Sequence, residues 1–152
     1  MAYLFFGTPR FAEIVLGKLL DAGMVPAAVV CNPDRPVGRK QVITAPPVKQ
    51  LVMRDEGRGT RVQIFQPERV ADIHDQLIAL KLDVFIVAAY AKILKPETLA
   101  IPRLGTIGVH PSLLPKYRGA TPIQSAILAG EQETGVTLFM VDEKVDHGAV
   151  LA

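Results

Sequence analysis

Apolar residues fall into two alternating patterns along this chain: short solid runs and stretches at helical spacing. Tyr3 to Phe6 is a solid run, as a strand buried on both faces requires. It ends at Gly7-Thr8-Pro9, where Thr8 is placed to cap a helix starting at Pro9. Val15, Leu16, Leu19 and Leu20 recur at helical spacing up to Gly23, and Ala27 to Cys31 predicts a second strand. Asn32 to Pro47 carries four prolines, a glycine and three basic residues, which predicts a long loop. Thr44, Pro46 and Pro47 then introduce a helix through Val48, Leu51 and Val52 that should stop by Gly57. Val62 to Phe65 predicts a short strand, and Val70, Ile73, Leu77 and Leu80 an amphipathic helix. Asp83 to Ala89 and Thr106 to Val109 predict strands, with a short helix at Pro96 to Ala100 between them. Pro122 to Leu128 predicts a helix, Val136 to Val141 a strand, and Gly148 to Ala152 the start of another apolar run.

This order predicts an α/β protein with an open, mostly parallel, doubly wound sheet. Ligands of such sheets lie beyond the carboxyl ends of the strands. Spacing therefore gathers Tyr90, His110 and the loop after Val141 at one edge. Gly7-Thr8-Pro9 shares that edge but lacks the three-glycine dinucleotide fingerprint, and no phosphate-binding P-loop is present. Dehydrogenase and ATPase readings lose their support here.

Composition narrows the class without deciding it. The 152 residues are 49% hydrophobic and 21% charged, which suits one globular core and argues against disorder. Cys31 stands alone, so neither an internal disulfide nor a multi-cysteine metal site can form, and it reads as a buried, inert thiol at a strand end. A formal net charge of +2 is too mild to indicate nucleic-acid binding by itself. The N-terminus lacks the positive region of a signal peptide, and no apolar run is long enough to span a membrane. The expectation is a soluble, cytoplasmic protein with no metal and no membrane contact.

His110 is the first candidate for chemistry. A single histidine after a strand is often structural, but this one is followed by Pro111, Pro115 and Gly119 in an irregular segment whose backbone needs partners. Asp146 follows a later predicted strand, and a carboxylate beside an imidazole orients its tautomer for acid–base work.

The segment Gly108-Val109-His110-Pro111-Ser112-Leu113-Leu114-Pro115, with Arg118-Gly119, resembles the signature of 10-formyltetrahydrofolate-dependent formyltransferases, Asn-x-His-x-Ser-Leu-Leu-Pro-x-x-Arg-Gly. Val141-Asp142-Glu143-Lys144-Val145-Asp146-His147-Gly148 is similar to the family's second motif, which ends in Leu-Asp-Thr-Gly. Within the family, Phe6-Gly7-Thr8-Pro9, Pro33-Asp34-Arg35-Pro36, Gly38-Arg39, Pro47-Val48-Lys49, Phe65-Gln66-Pro67 and Glu133-Thr134-Gly135-Val136-Thr137 most resemble the N-terminal domain of the methionyl-tRNA branch.

The resemblance implies a Rossmann-like formyltransferase fold. It also implies transfer of a formyl group from 10-formyltetrahydrofolate, as co-substrate, to the amine of methionyl-tRNA. His110 would then be the acid–base and oxyanion partner, kept charged or ordered by Asp146, with Gly108 at the position of the family's asparagine. Tyr90, Ile93, Leu94, Ser112, Leu113, Leu114, Pro115, Val141, Asp142 and Val145 would hold the folate. Arg35, Arg39 and Lys40 would meet the tRNA acceptor end, although the same loop also reads as a solvated turn.

Three departures qualify the resemblance. Gly108 removes an amide that donates to the oxyanion, a loss worth about 10²–10³ in turnover. The expectation is that water takes the vacated volume, that activity is impaired, and that Gly108→Asn raises transfer at least about tenfold. Ala91 and His147 replace a family glycine and threonine. The chain also stops at Ala152, short of the family's full catalytic domain and its basic C-terminal tRNA-binding domain, so tRNA binding would be weak and steeply salt-dependent. A folate-binding relative with disabled catalysis and a sugar-nucleotide or small-amine formyltransferase remain as alternative readings.

Overall fold

A computed structural model describes residues 1–56 and 61–152, with the side chain of Glu56 also left aside. Strands β1 (Tyr3–Gly7), β2 (Ala28–Val30), β5 (Gln63–Phe65), β6 (Val84–Ala88), β7 (Thr106–His110) and β8 (Thr137–Met140) form one sheet in the order β5-β2-β1-β6-β7-β8. All neighbours are parallel except β7 and β8. The order reverses direction at β1, the switch point of a doubly wound sheet, and β1 is buried at every position.

Alternation along the strands sorts the core onto two faces. Tyr3, Phe5, Val29, Val84 and Ala88 face helices α1 (Arg10–Asp21) and α2 (Pro47–Glu56), through Ala12, Leu16, Val48 and Val52. Leu4, Phe6, Val30 and Phe85 face the other side, where a 3-10 turn (Val70–Ile73) runs into α3 (His74–Ala79) and supplies Val70, Ile73 and Leu77. Helices α4 (Pro96–Leu99) and α5 (Pro122–Leu128) complete the set. Gly7 ends β1 because nothing larger fits: a Cβ there would lie 2.6 Å from the Ala12 Cβ and 2.9 Å from the Ala88 carbonyl oxygen.

The structure departs from the sequence reading at four points. Helix α1 has Pro9 in its capping position with no side-chain cap, while the Thr8 hydroxyl accepts from the Asn32 amide at 3.2 Å. The supposed loop from Asn32 to Pro47 contains an antiparallel hairpin, β3 (Arg35–Val37) and β4 (Val42–Thr44), turned at Gly38, whose φ is +70°. The 70–80 helix is split into the 3-10 turn and α3. Finally, β8 is antiparallel, so Val141 is not at the carboxyl edge with Tyr90 and His110. Its amide donates to the Thr106 carbonyl at 2.8 Å, at the opposite end of β7. The terminal run pairs back on β8, with a bridge between Phe139 and Val150. Gly57, where the sequence places the end of α2, lies outside the described residues.

Candidate active site

Strand β7 places Thr106, Gly108 and His110 on one face, which they share with their β8 neighbours Phe139 and Thr137. His110 is the last residue of β7 and 5% exposed. Its Nε2 donates to the Tyr117 carbonyl at 2.8 Å, since a carbonyl only accepts. Its Nδ1 lies 3.5 Å from Asp146 Oδ2, an electrostatic separation rather than a short hydrogen bond.

Asp146 reaches this position although its strand ran the other way. Residues 141–147 return across the sheet face, and Asp146 adopts a left-handed backbone (φ +49°) that side chains rarely take unaided. Two neighbours in the first motif hold it there. The Gly119 amide donates to Asp146 Oδ2 at 2.8 Å, and Arg118 Nε donates to the Asp146 carbonyl at 2.8 Å. The Arg-Gly pair therefore carries the carboxylate to the imidazole.

The loop after His110 is built from within. Ser112 is fully buried, its hydroxyl donating to the Lys116 carbonyl at 2.6 Å and its amide to the His110 carbonyl at 2.9 Å. Thr137 donates to the Ser112 carbonyl at 2.7 Å and accepts from the Leu114 amide at 3.0 Å. Ser112, which the resemblance places at the folate, has its hydroxyl and amide bonded within the loop. Leu113 is half exposed, Leu114 is partly buried, and Pro115 is exposed after a cis peptide bond. Glu131 latches the far side, accepting from the Tyr117 hydroxyl at 2.7 Å and from Lys116 at 2.9 Å. Lys116 first, and then Tyr117, hold its carboxyl below the usual range.

The remaining predicted residues divide. Tyr90 packs on Phe6 with ring centroids 5.2 Å apart; its hydroxyl is buried with no partner among the described residues, and burial pushes it up to about 12. Leu94 packs into the core beside it, whereas Ile93 and Val145 are 85% and 68% exposed. Asp142 is exposed and accepts from the Lys144 amide at 2.9 Å, with His147 Nδ1 3.9 Å from its other oxygen. A cleft of about 600 Å³, lined in part by Arg69, His74, Lys92 and Ile93, lies beside this site rather than at His110.

Position 108 corrects an expectation. A Cβ built on Gly108 would meet the Phe139 ring at 2.3 and 2.4 Å, and Phe139 is 4% exposed. The volume is filled by an aromatic ring, not left for water. Gly108→Asn on its own therefore overpacks the site instead of restoring a donor.

Arg35, Arg39 and Lys40 are all exposed on the hairpin, which follows β2, a strand separated from β7 by β1 and β6. Arg35 is paired with Glu68 at 3.4 Å. Sequence reasoning missed the hairpin's anchor. Lys49 donates to both oxygens of Asp34 (2.9 and 2.8 Å) and to Gln66 (2.8 Å), and Gln66 donates to Asp34 and to the Asn32 carbonyl, each at 2.8 Å. All three residues were quoted above as family markers, so the signal was present without its geometry.

The whole chain, residues 1–152, matches the formyl transferase family model. The chain belongs to the formyl transferase family. It is 48% identical over 150 residues to the methionyl-tRNA formyltransferase of Halorhodospira halophila, and 44% identical over 151 residues to that of Staphylococcus aureus strain JH1. Each alignment takes in 98% of this chain and 47% of the relative, so the chain spans about half the length of the curated relatives it matches. Among solved structures, phosphoribosylglycinamide formyltransferase from Bacillus halodurans superposes with a TM-score of 0.76 at 21% identity, covering 100% of this chain and 77% of that one. Glycinamide ribonucleotide transformylase 1 from Geobacillus kaustophilus gives 0.70 at 27%, covering 100% and 80%. The first of these likenesses establishes the fold alone, a mostly parallel formyltransferase-like sheet.

Proposed function

We propose that this chain is the catalytic part of an enzyme that moves a formyl group from 10-formyltetrahydrofolate to the amino group of methionyl-tRNA. The observation that carries the reading is the convergence of His110, Asp146, Arg118 and Gly119 at the end of β7, in a family member whose methionyl-tRNA formyltransferase relatives are 44–48% identical.

The folate supplies an activated formyl carbon, on whose oxygen negative charge develops as the amine attacks. The chain supplies the imidazole. His110 Nε2–H would donate to the developing oxyanion while Asp146 faces the ring at Nδ1; as the carbon–N10 bond breaks, N10 of the departing folate would take the proton that the amine loses. The Tyr117 carbonyl now holds Nε2, so the 116–118 turn yields this bond to a substrate. The exposed side chains of Ile93 and Val145 hold apolar surface out to solvent, which suits a flat ligand. Arg35, Arg39 and Lys40 on the hairpin are the groups that would meet the acceptor end.

A second reading has its own support. With Phe139 filling the space of the family's amide, the site resembles a folate binder whose catalysis is weakened.

Purified protein given 10-formyltetrahydrofolate and methionyl-tRNA tests both readings, with an amino-sugar nucleotide as the competing acceptor and thermal stabilisation by a stable folate analogue measured alongside. The expected result is formylation of methionyl-tRNA, falling at least about 100-fold in His110→Ala. Stabilisation without transfer selects the second reading, preference for the sugar nucleotide redirects the acceptor, and neither binding nor transfer overturns the proposal.

A further inference from the structure

Gly108 and Phe139 face each other across the antiparallel pair β7–β8. At such pairs the side chains of one face are nearest neighbours. Because Gly108 brings no side chain, the Phe139 ring lies over its Cα, where a Cβ would come within 2.3 Å of the ring edge. From there it meets His110 nearly at a right angle, with ring centroids 6.5 Å apart and an interplanar angle of 86°. Edge-to-face contacts of this kind favour one ring orientation over its rotations. The imidazole is then fixed from three sides: the Tyr117 carbonyl at Nε2, Asp146 at Nδ1 and the aromatic edge of Phe139.

The Asp146 contact, at 3.5 Å, is too long to fix the ring alone. Phe139 is also 4% exposed, so it excludes water from the side of the imidazole where a polar residue 108 would have stood. Removing it would open a void beside His110, large enough for water and for the ring to turn.

We infer that Phe139 is a positioning residue for His110, and that Gly108 and Phe139 form one coupled unit in which an aromatic ring replaces a polar side chain beside the imidazole. The claim rests on the reading of His110 as the working group of the proposed reaction, but its central test does not need the reaction. Two consequences separate it from simple core filling. First, the Nε2–H proton stays protected from solvent exchange only while Phe139 holds the ring against the Tyr117 carbonyl. Second, Asn at 108 is tolerated only when residue 139 is made smaller.

The test uses the protein as its gene encodes it, with variants Phe139→Ala, Phe139→Leu, Gly108→Asn and Gly108→Asn/Phe139→Ala. Nitrogen-15 spectra follow the His110 Nε2–H signal, thermal melts follow folding, and formyl transfer is measured where it occurs. Phe139→Ala is expected to lose the Nε2–H signal to exchange and to lower kcat about 10- to 100-fold with little change in KM for the folate, while Phe139→Leu keeps the signal and most of the rate. Gly108→Asn alone should lower Tm by several degrees, and the double variant should melt no lower than Phe139→Ala. A protected Nε2–H signal in folded Phe139→Ala overturns the positioning role. Additive melting losses in the double variant overturn the coupling. If the unaltered protein transfers no formyl group, the proposed function fails, yet the spectra and melts still decide the role of Phe139.

Discussion

Cys31 carries a nucleophilic sulfur that its place in the core keeps out of chemistry. It is fully buried just past β2, and burial pushes its thiol up to about 12. At pH 8 only about one thiol in 10⁴ is then the reactive thiolate. Native protein should resist iodoacetamide at pH 8 and label once unfolded in denaturant; rapid stoichiometric labelling of the native form would contradict the burial. The sequence already marked Cys31 as a buried strand-end thiol, because a lone cysteine in an apolar run has few other roles. His110 and Asp146 were legible for a different reason, each lying inside a long motif with fixed neighbours. What holds them was less so. The Tyr117 carbonyl is a backbone atom that no side-chain identity announces, and the packing of Phe139 on Gly108 depends on cross-strand register that local pattern does not encode.

At the scale of elements, the hairpin β3–β4 is the part that sequence reading lost. The four prolines and the charges of the stretch from Asn32 to Pro47 look like loop chemistry, and Pro36 sits in β3, where a two-stranded ribbon leaves room for a missing donor. Such a ribbon is marginal by itself, and Val37, Val42 and Ile43 are all more than half exposed, so packing contributes little. The hairpin must be held by its root, where Lys49 of α2 and Gln66 after β5 grip Asp34. Lys49→Met should therefore release β3–β4 with little loss of Tm, read as faster hydrogen exchange at the Gln41 amide, which donates to the Gly38 carbonyl. Unchanged exchange there would show that the hairpin stands unaided. Acid acts on the same anchor. Lys49, then Gln66, hold the Asp34 carboxyl below its ordinary range, so its stabilising contribution is present above the unfolded value near pH 4 and lost as pH falls through the lower folded value. Hairpin protection should persist at pH 5 and fade only in stronger acid.

Across the whole molecule, the mostly parallel sheet followed from the β-α-β alternation, but the direction of β8 did not. The stretch between β7 and β8 contains α5 and is long enough for a parallel crossover, so length alone could not reveal the reversal. That reversal leaves Tyr90 and His110 at the carboxyl edge and starts the loop after Val141 at the opposite end of β7. Val141 is bonded at the far end of β7, and residues 142–147 bring Asp146 back to His110. The basic hairpin follows β2, which β1 and β6 separate from β7, so its cations would touch the RNA beside the acceptor end while the aminoacyl amine reaches His110. A folate analogue should then slow exchange at 90–94 and 142–147 while leaving 35–44 unchanged. RNA binding, in turn, should follow the hairpin's few cations. Arg35, Arg39 and Lys40 together neutralise at most about three phosphates, and a single strand contributes about −0.7 per phosphate to the slope of log K against log salt, so the hairpin accounts for no more than about −2 of that slope. Arg39→Ala with Lys40→Ala should weaken methionyl-tRNA binding and flatten the slope by about 1.4, with folate-analogue stabilisation untouched. A slope that stays the same in that double variant would place the RNA on another face of the protein.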